Sequence, residues 1–404
     1  MKYLPFMVMI CVALFSTPIQ AYYEGAFGKH RIDLQGLLRG YGFISHYREA
    51  NPFYSDQTSA NLAGILRMTS DVELGKSWRF ELNAAQVYLP RSSLNSQNNG
   101  DLSLGAERSD IFDINFSDSR ELHLFLDRMA LAWRRNNIDV IAGRQAINLS
   151  TTFYFTPNDF FAPFTAQTFY RVYKPGVDAM RLELGLGEFS QLSLMTVLGY
   201  QKSQDSWGKR PDIERSSSLI RWSNVYADME VAFLAGRVTE RNILGFSMQG
   251  ELFDWLGLRL EGHHADFSSK DGTYQRVSVG IEHRWENTLE LRLEVFYNGM
   301  GADKVSAYQA ERLTGTPQYL AQYYTAFGAG YEITPLLLAQ VLAVSNWLDQ
   351  SHLFAANAVY SLSDESEMAV YIVLPNGKTP DENRIKSEFG AYPISATLEF
   401  RTYF

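Results

Sequence analysis

Residues 276–297 read RVSVGIEHRWENTLELRLEVFY, and two alternations meet in them at Glu286-Asn287. In the first, Val277, Val279, Ile281, His283 and Trp285 interleave with Arg276, Ser278, Gly280, Glu282 and Arg284. In the second, Leu289, Leu291, Leu293, Val295 and Tyr297 interleave with Glu290, Arg292 and Glu294. A period of two, with one greasy and one charged face on either side of a tight turn, is the pattern of paired strands.

The same pattern continues in both directions from about His30, as in Trp78, Phe80, Leu82 and Ala84 interleaved with Arg79, Glu81 and Asn83. It predicts strands near 31–47, 60–74, 77–89, 121–134, 138–147, 177–185, 190–201, 215–223 and 226–237. Further strands are expected near 242–253, 257–267, 273–285, 288–298, 319–332, 335–346, 352–362, 366–374 and 392–404. The expected total is about 18, within roughly 16 to 20, because strand limits read from pattern are soft.

The links between them alternate in length. Gly75-Lys76-Ser77, Asn136-Asn137, Asn224-Val225, Glu286-Asn287 and Thr334-Pro335 are tight turns, while 48–59, 90–120, 148–176, 202–214, 299–318 and 375–391 are long. Two links in the long register, near 238–241 and 347–351, are short. Membrane barrels have an even number of strands with short turns at one end and long loops at the other. A secreted sandwich or solenoid has no reason to sort its loops in this way, and no fixed-period repeat is present.

Composition agrees with a single barrel over 22–404. The chain is 14% aromatic, with 23 Tyr and 29 Gly. Tyr41, Tyr47, Trp78, Tyr88, Trp133, Trp222, Trp285, Tyr297 and Tyr331 fall near strand ends, as interfacial girdles do. After Met1-Lys2, the apolar run Leu4 to Phe15 and the small-residue stretch to Ala21 read as a secretory leader, 1–21, cleaved after Ala21. The one cysteine, Cys11, lies in that leader, so disulfides, Cys-based metal sites and covalent haem attachment are not expected beyond it. No other apolar stretch is long enough for a membrane helix. A formal net charge of −9 argues against nucleic acid as a partner.

An alternating signal-bearing chain that ends on an amphipathic strand, Tyr392 to Phe404, resembles the Gram-negative outer-membrane β-barrels of the porin type. The resemblance implies an all-β, antiparallel barrel in the outer membrane, in contact with lipid and lipopolysaccharide. It also implies that Phe404 is the signal read by the barrel-assembly machinery, and a homotrimer is a common state in that class. A second resemblance lies in Gly143-Arg144-Gln145, in Pro157-Asn158-Asp159-Phe160-Phe161-Ala162-Pro163 and in Asp178-Ala179-Met180-Arg181. These are similar to alginate-export-like porins and to the barrels that sheathe multihaem cytochromes.

The residues themselves give two candidate features. The link at 148–176 carries Phe153, Tyr154, Phe155, Phe160, Phe161, Phe164, Phe169, Tyr170 and Tyr173, stiffened by Pro157, Pro163 and Pro175. So aromatic a loop is expected to pack, either inward as a constriction, with Pro157, Asp159, Phe160 and Phe161 at its heart, or on the rim against a partner. The face opposite the apolar residues is the expected lumen. It would present Arg79, Arg128, Arg144, Arg181, Arg221, Arg276, Arg284 and Arg292 with Glu81, Glu183, Glu282 and Glu294. Rings of arginine favour anions, whereas cross-strand pairing with the glutamates would only brace the wall.

An enzyme is not expected. His263-His264 are strand neighbours that point to opposite faces, and Gly245-Phe246-Ser247-Met248-Gln249 lacks the second glycine of a nucleophile elbow. No cofactor is expected either. The reading is a porin for small hydrophilic solutes, anions included. The alternatives are a sheath for a multihaem cytochrome in electron transfer and an export channel for an anionic polymer.

Overall fold

A sheet with one apolar and one charged face satisfies every backbone group in lipid only by closing on itself. The computed structural model describes residues 22–49, 57–88, 108–115, 122–202, 207–253, 255–267, 272–309, 319–381 and 384–404. The leader expected at 1–21 lies outside the described residues. The first ten strands are β1 (Tyr22–Phe27), β2 (His30–His46), β3 (Thr58–Leu74), β4 (Trp78–Tyr88), β5 (Ile114–Asn115), β6 (Leu122–Arg135), β7 (Ile138–Gln145), β8 (Val177–Gly185), β9 (Ser190–Lys202) and β10 (Trp207–Tyr226). Then come β11 (Met229–Val238), β12 (Arg241–Leu252), β13 (Leu256–Phe267), β14 (Thr273–Arg284), β15 (Glu290–Asn298), β16 (Tyr323–Thr334), β17 (Leu337–Asn346), β18 (His352–Ser363), β19 (Ser366–Asn376) and β20 (Ile394–Tyr403).

Eighteen of these, all but β1 and β5, form a closed antiparallel barrel in which each strand pairs with its sequence neighbours. Closure is between β2 and β20, with Leu37 opposite Tyr403 and His46 opposite Ile394. Phe404 extends the seam by one pair, donating its N–H to the Gly36 carbonyl at 2.9 Å while Gly36 N–H bonds back to Phe404. β1 was not expected from the pattern. It pairs with the first residues of β2, from Tyr22 opposite Gln35 to Phe27 opposite His30, where β2 outruns the end of β20.

Among the described residues the predicted sorting of links is present; much of the links expected at 48–59 and 90–120 lies outside them. At one end, the turn end, two or a few residues join strands, as at Ala227 and Asp228, whose φ values of 48° and 63° suit the twist of a tight hairpin. At the other, the loop end, lie the long connections 146–176, 299–322 and 377–393. β10 is longer than expected, beginning at Trp207 where the pattern places its start near 215.

Alternation places the apolar residues outside. Val279 is 42% and Leu293 40% exposed on the outer wall, while Ser278 and Glu294 beside them are wholly buried on the inner one. Outer-wall aromatics gather at both ends, Trp78 against Trp133 at the turn end and Tyr297, Tyr323 and Trp347 at the loop end.

Candidate functional site

The connection 146–176 leaves β7 and re-enters β8, yet its contacts lie on the inner faces of β13, β15 and β16 and of β2, β3 and β20. Only a path through the interior reaches both sets, so the loop folds inward and crosses the lumen. The Tyr154 hydroxyl reaches the far wall over Gly328 of β16, where a Cβ would lie 1.7 Å from it.

Two wall carboxylates hold the loop by its backbone. Glu261 of β13 accepts N–H bonds from Thr151, from Thr152 at 3.1 Å and from Asn158 at 3.1 Å, and the Thr151 hydroxyl adds one at 3.0 Å. Glu294 of β15 accepts those of Phe153 at 2.9 Å, Tyr154 at 3.1 Å and Phe155 at 2.7 Å, with the Ser278 hydroxyl at 2.7 Å.

Wall arginines hold the loop by its rings. Phe153 sits between the guanidinium carbons of Arg259 and Arg292, 4.1 and 4.3 Å from its centroid. Both arginines also face Glu282, at 3.1 and 3.6 Å, and Arg292 pairs with Glu290 at 2.5 Å. The arrangement repeats at the seam. Tyr170 lies between Arg39 and Arg401, at 4.2 and 4.4 Å, and both arginines reach Glu399, at 2.7 and 3.4 Å. Tyr173 stacks on Arg67, which pairs with Asp127. A carboxylate keeps each guanidinium in place, and the ring above it gains a cation–π contact shielded from water.

Inside the loop, Lys174 and Asp159 form a buried ion pair. Burial pushes the Asp159 carboxyl up and the Lys174 ammonium down, and each partner works against the shift of the other. Phe155 stacks on Phe296 at 4.9 Å, Phe160 contacts His263 at 5.1 Å, and Phe161 joins Ile147, Leu149 and Val177 in a buried apolar cluster. Pro157 is buried as well. Between the loop and β15–β17 a cavity of about 200 Å³ is lined by Phe153, Tyr154, Arg171, Glu290 and Arg292.

The other arginines predicted for the lumen occupy its inner face, where most pair locally. Arg128 binds Glu81 at 3.0 Å, Arg181 binds Glu183 at 3.1 Å, and Arg221 binds Glu230 at 3.0 Å. Arg79 with Asp71, and Arg284 with Glu332 at 2.8 Å, sit at the turn end. Arg276 donates to Asn298 at 3.0 Å and lies beside Tyr274.

Arg144 is the correction. It stands opposite Met129 and Asp178 and shares its parity with Ala142 and Met180, which places it on the outer face. Met180 is 58% exposed there. The segment 108–113 covers Arg144, which bonds Asp178 at 2.8 Å and the Ser109 carbonyl at 2.7 Å, while Tyr200 donates to Asp178 at 2.8 Å. The sequence reading places Arg144 on the face opposite the apolar residues, but its parity is that of Ile138, Val140 and Ala142, which set the outer side. Conversely, Arg39 and Arg67 were missed because buried apolar neighbours on the same inner face, Leu37, Phe43 and Ile65, obscure the two-residue pattern.

No protein-family model matches the sequence, and no curated protein does. Solved structures do match in fold. OccAB3 of Acinetobacter baumannii superposes with a TM-score of 0.58 at 12% identity, covering 92% of this chain and 99% of that one. OccK9 (OpdG) of Pseudomonas aeruginosa gives 0.60 at 11% identity, over 92% and 98%. A BenF-like porin from Pseudomonas fluorescens Pf-5 gives 0.60 at 9%, again over 92% and 98%. The chain has the fold of the outer-membrane porins. At these identities the likeness is one of architecture, and the residues that line this porin-like lumen have to be read from its own geometry.

Proposed function

We propose that the chain is an outer-membrane channel through which small hydrophilic solutes diffuse, with 146–176 as its constriction. The observation that carries this is a loop seated on several sides of a closed barrel whose inner wall is charged. The crossing loop fills space that a sheath would need for a cytochrome, and that favours a channel over an electron conduit. Arg79, Arg128, Arg181, Arg221, Arg284 and Arg292 each face a carboxylate. Their field on a passing ion is therefore small, and the anion preference is weak. Residence among outer-membrane lipid and lipopolysaccharide, and Phe404 as the assembly signal, go with the same reading.

Purified protein in a planar bilayer tests it. Stepwise conductance with weak ion selectivity is expected; a silent protein that co-purifies with a red, haem-absorbing partner would overturn the proposal in favour of the sheath.

A further inference from the structure

Two carboxylates of the lumen wall are held differently from the others described here. Most of its arginines sit beside carboxylates, but Glu261 and Glu294, both 0% exposed, are held by backbone N–H and hydroxyl donors. They stand on β13 and β15, with β14 between them contributing Ser278. The N–H groups of residues 151 to 155 turn to them in order, two to Glu261 and three to Glu294, and Asn158 returns to Glu261. Successive N–H groups converging on one anion form a nest, a geometry that needs the charge at its centre.

We infer that Glu261 and Glu294 are positioning residues that latch the loop against the β13–β15 wall and so set the aperture of the channel. This rests on the channel reading above. Beyond the Thr151 hydroxyl the latch grips backbone, so it is blind to side-chain identity from 152 to 155. Half-buried Phe153 and Tyr154 can vary and reshape the passage without unseating the loop. The Arg259 and Arg292 pincer on Phe153 reads the side chain instead, so the two devices are separable.

Glutamine keeps the size of the residue but removes the charge and sets an amide N–H₂ among N–H donors. Glu261→Gln and Glu294→Gln should each raise the released population on the order of tenfold, since a buried donor is left without its acceptor. Two readouts are needed. Amide hydrogen exchange over 149–160, on protein that still shows heat-modifiable migration, reports the latch itself; bilayer conductance reports the aperture. Faster exchange together with larger or noisier conductance steps supports the inference. Where a glutamine variant fails to fold, Glu294→Asp keeps the charge and withdraws the carboxylate by one methylene, with the same two outcomes expected. Unchanged exchange in folded variants overturns the latch. Faster exchange with unaltered conductance overturns its role in the aperture. A wild-type protein that never conducts sinks the channel reading, and the aperture with it, even if exchange accelerates.

Discussion

Lys174 and Asp159 show what the crossing loop asks of single residues. Both are buried in the loop, and neither charge would be tolerated there alone, because desolvation disfavours the ionised form of each. Lys174→Met leaves a bare buried carboxylate and should weaken the local closure of the loop by about 3–5 kcal/mol. Adding Asp159→Asn should recover much of that loss, since the costly state is the unpaired charge. Exchange-derived opening energies for amides 158–174 in the single and double variants check this, and equal values in both would count against it. At this scale the sequence was partly legible. Asp159, Phe160 and Phe161 were visible as a packed aromatic core, but their partners were not. A carboxylate that accepts backbone N–H groups from a loop more than a hundred residues away, as Glu261 does from Thr151 and Thr152, leaves no local pattern. Arg144 shows the opposite failure: its parity with Val140 and Ala142 marks the outer face, while its charge points to the lumen.

At the scale of elements, the strands were the legible part, because one face is apolar and the other charged, and the period of two records that directly. Loop destinations were not, since they depend on contacts between distant connections. Those at 299–322, 347–351 and 377–393 meet at Glu388. The carboxylate accepts from Asn346 at 2.8 Å and from the Tyr324 hydroxyl, and its own N–H donates to Asp349 at 2.8 Å. Tyr308 also donates to Asp349, at 2.9 Å. Burial, with Asp349 adding its charge, pushes Glu388 up to about 8 from the usual 4.5. A folded-state pKa above the unfolded one means the packing is best supported when the group is protonated. That support is complete below about 4.5 and is lost as pH rises through about 8. Amide protection of 384–391, corrected for intrinsic exchange, should therefore be higher at pH 6 than at pH 9, and Glu388→Gln should hold it level across that range. A wild type with flat protection would refute the assignment.

At the scale of the whole molecule, the barrel exists because β2 and β20 meet, and the last pair of that seam is Gly36 with Phe404. A Cβ on Gly36 would stand 2.2 Å from the Phe404 ring, so the ring is seated where a side chain is missing. Phe404 thus has two separable roles, one as the proposed signal for the assembly machinery and one as filling of the closed seam. Under that proposal the signal would be read from a chain not yet closed, before the ring has met Gly36. Phe404→Ala should therefore lower the yield of heat-modifiable barrel in outer membranes several-fold. Gly36→Val should leave that yield near wild type, because the ring can swing aside, yet lower the temperature at which the finished barrel loses its compact migration. Gly187→Ala, at a turn-end position with no atom within 4 Å of the added methyl, is the control for both. If Gly36→Val cut the yield as deeply as Phe404→Ala, seating of the ring would be part of assembly itself, and the separation of the two roles would fall.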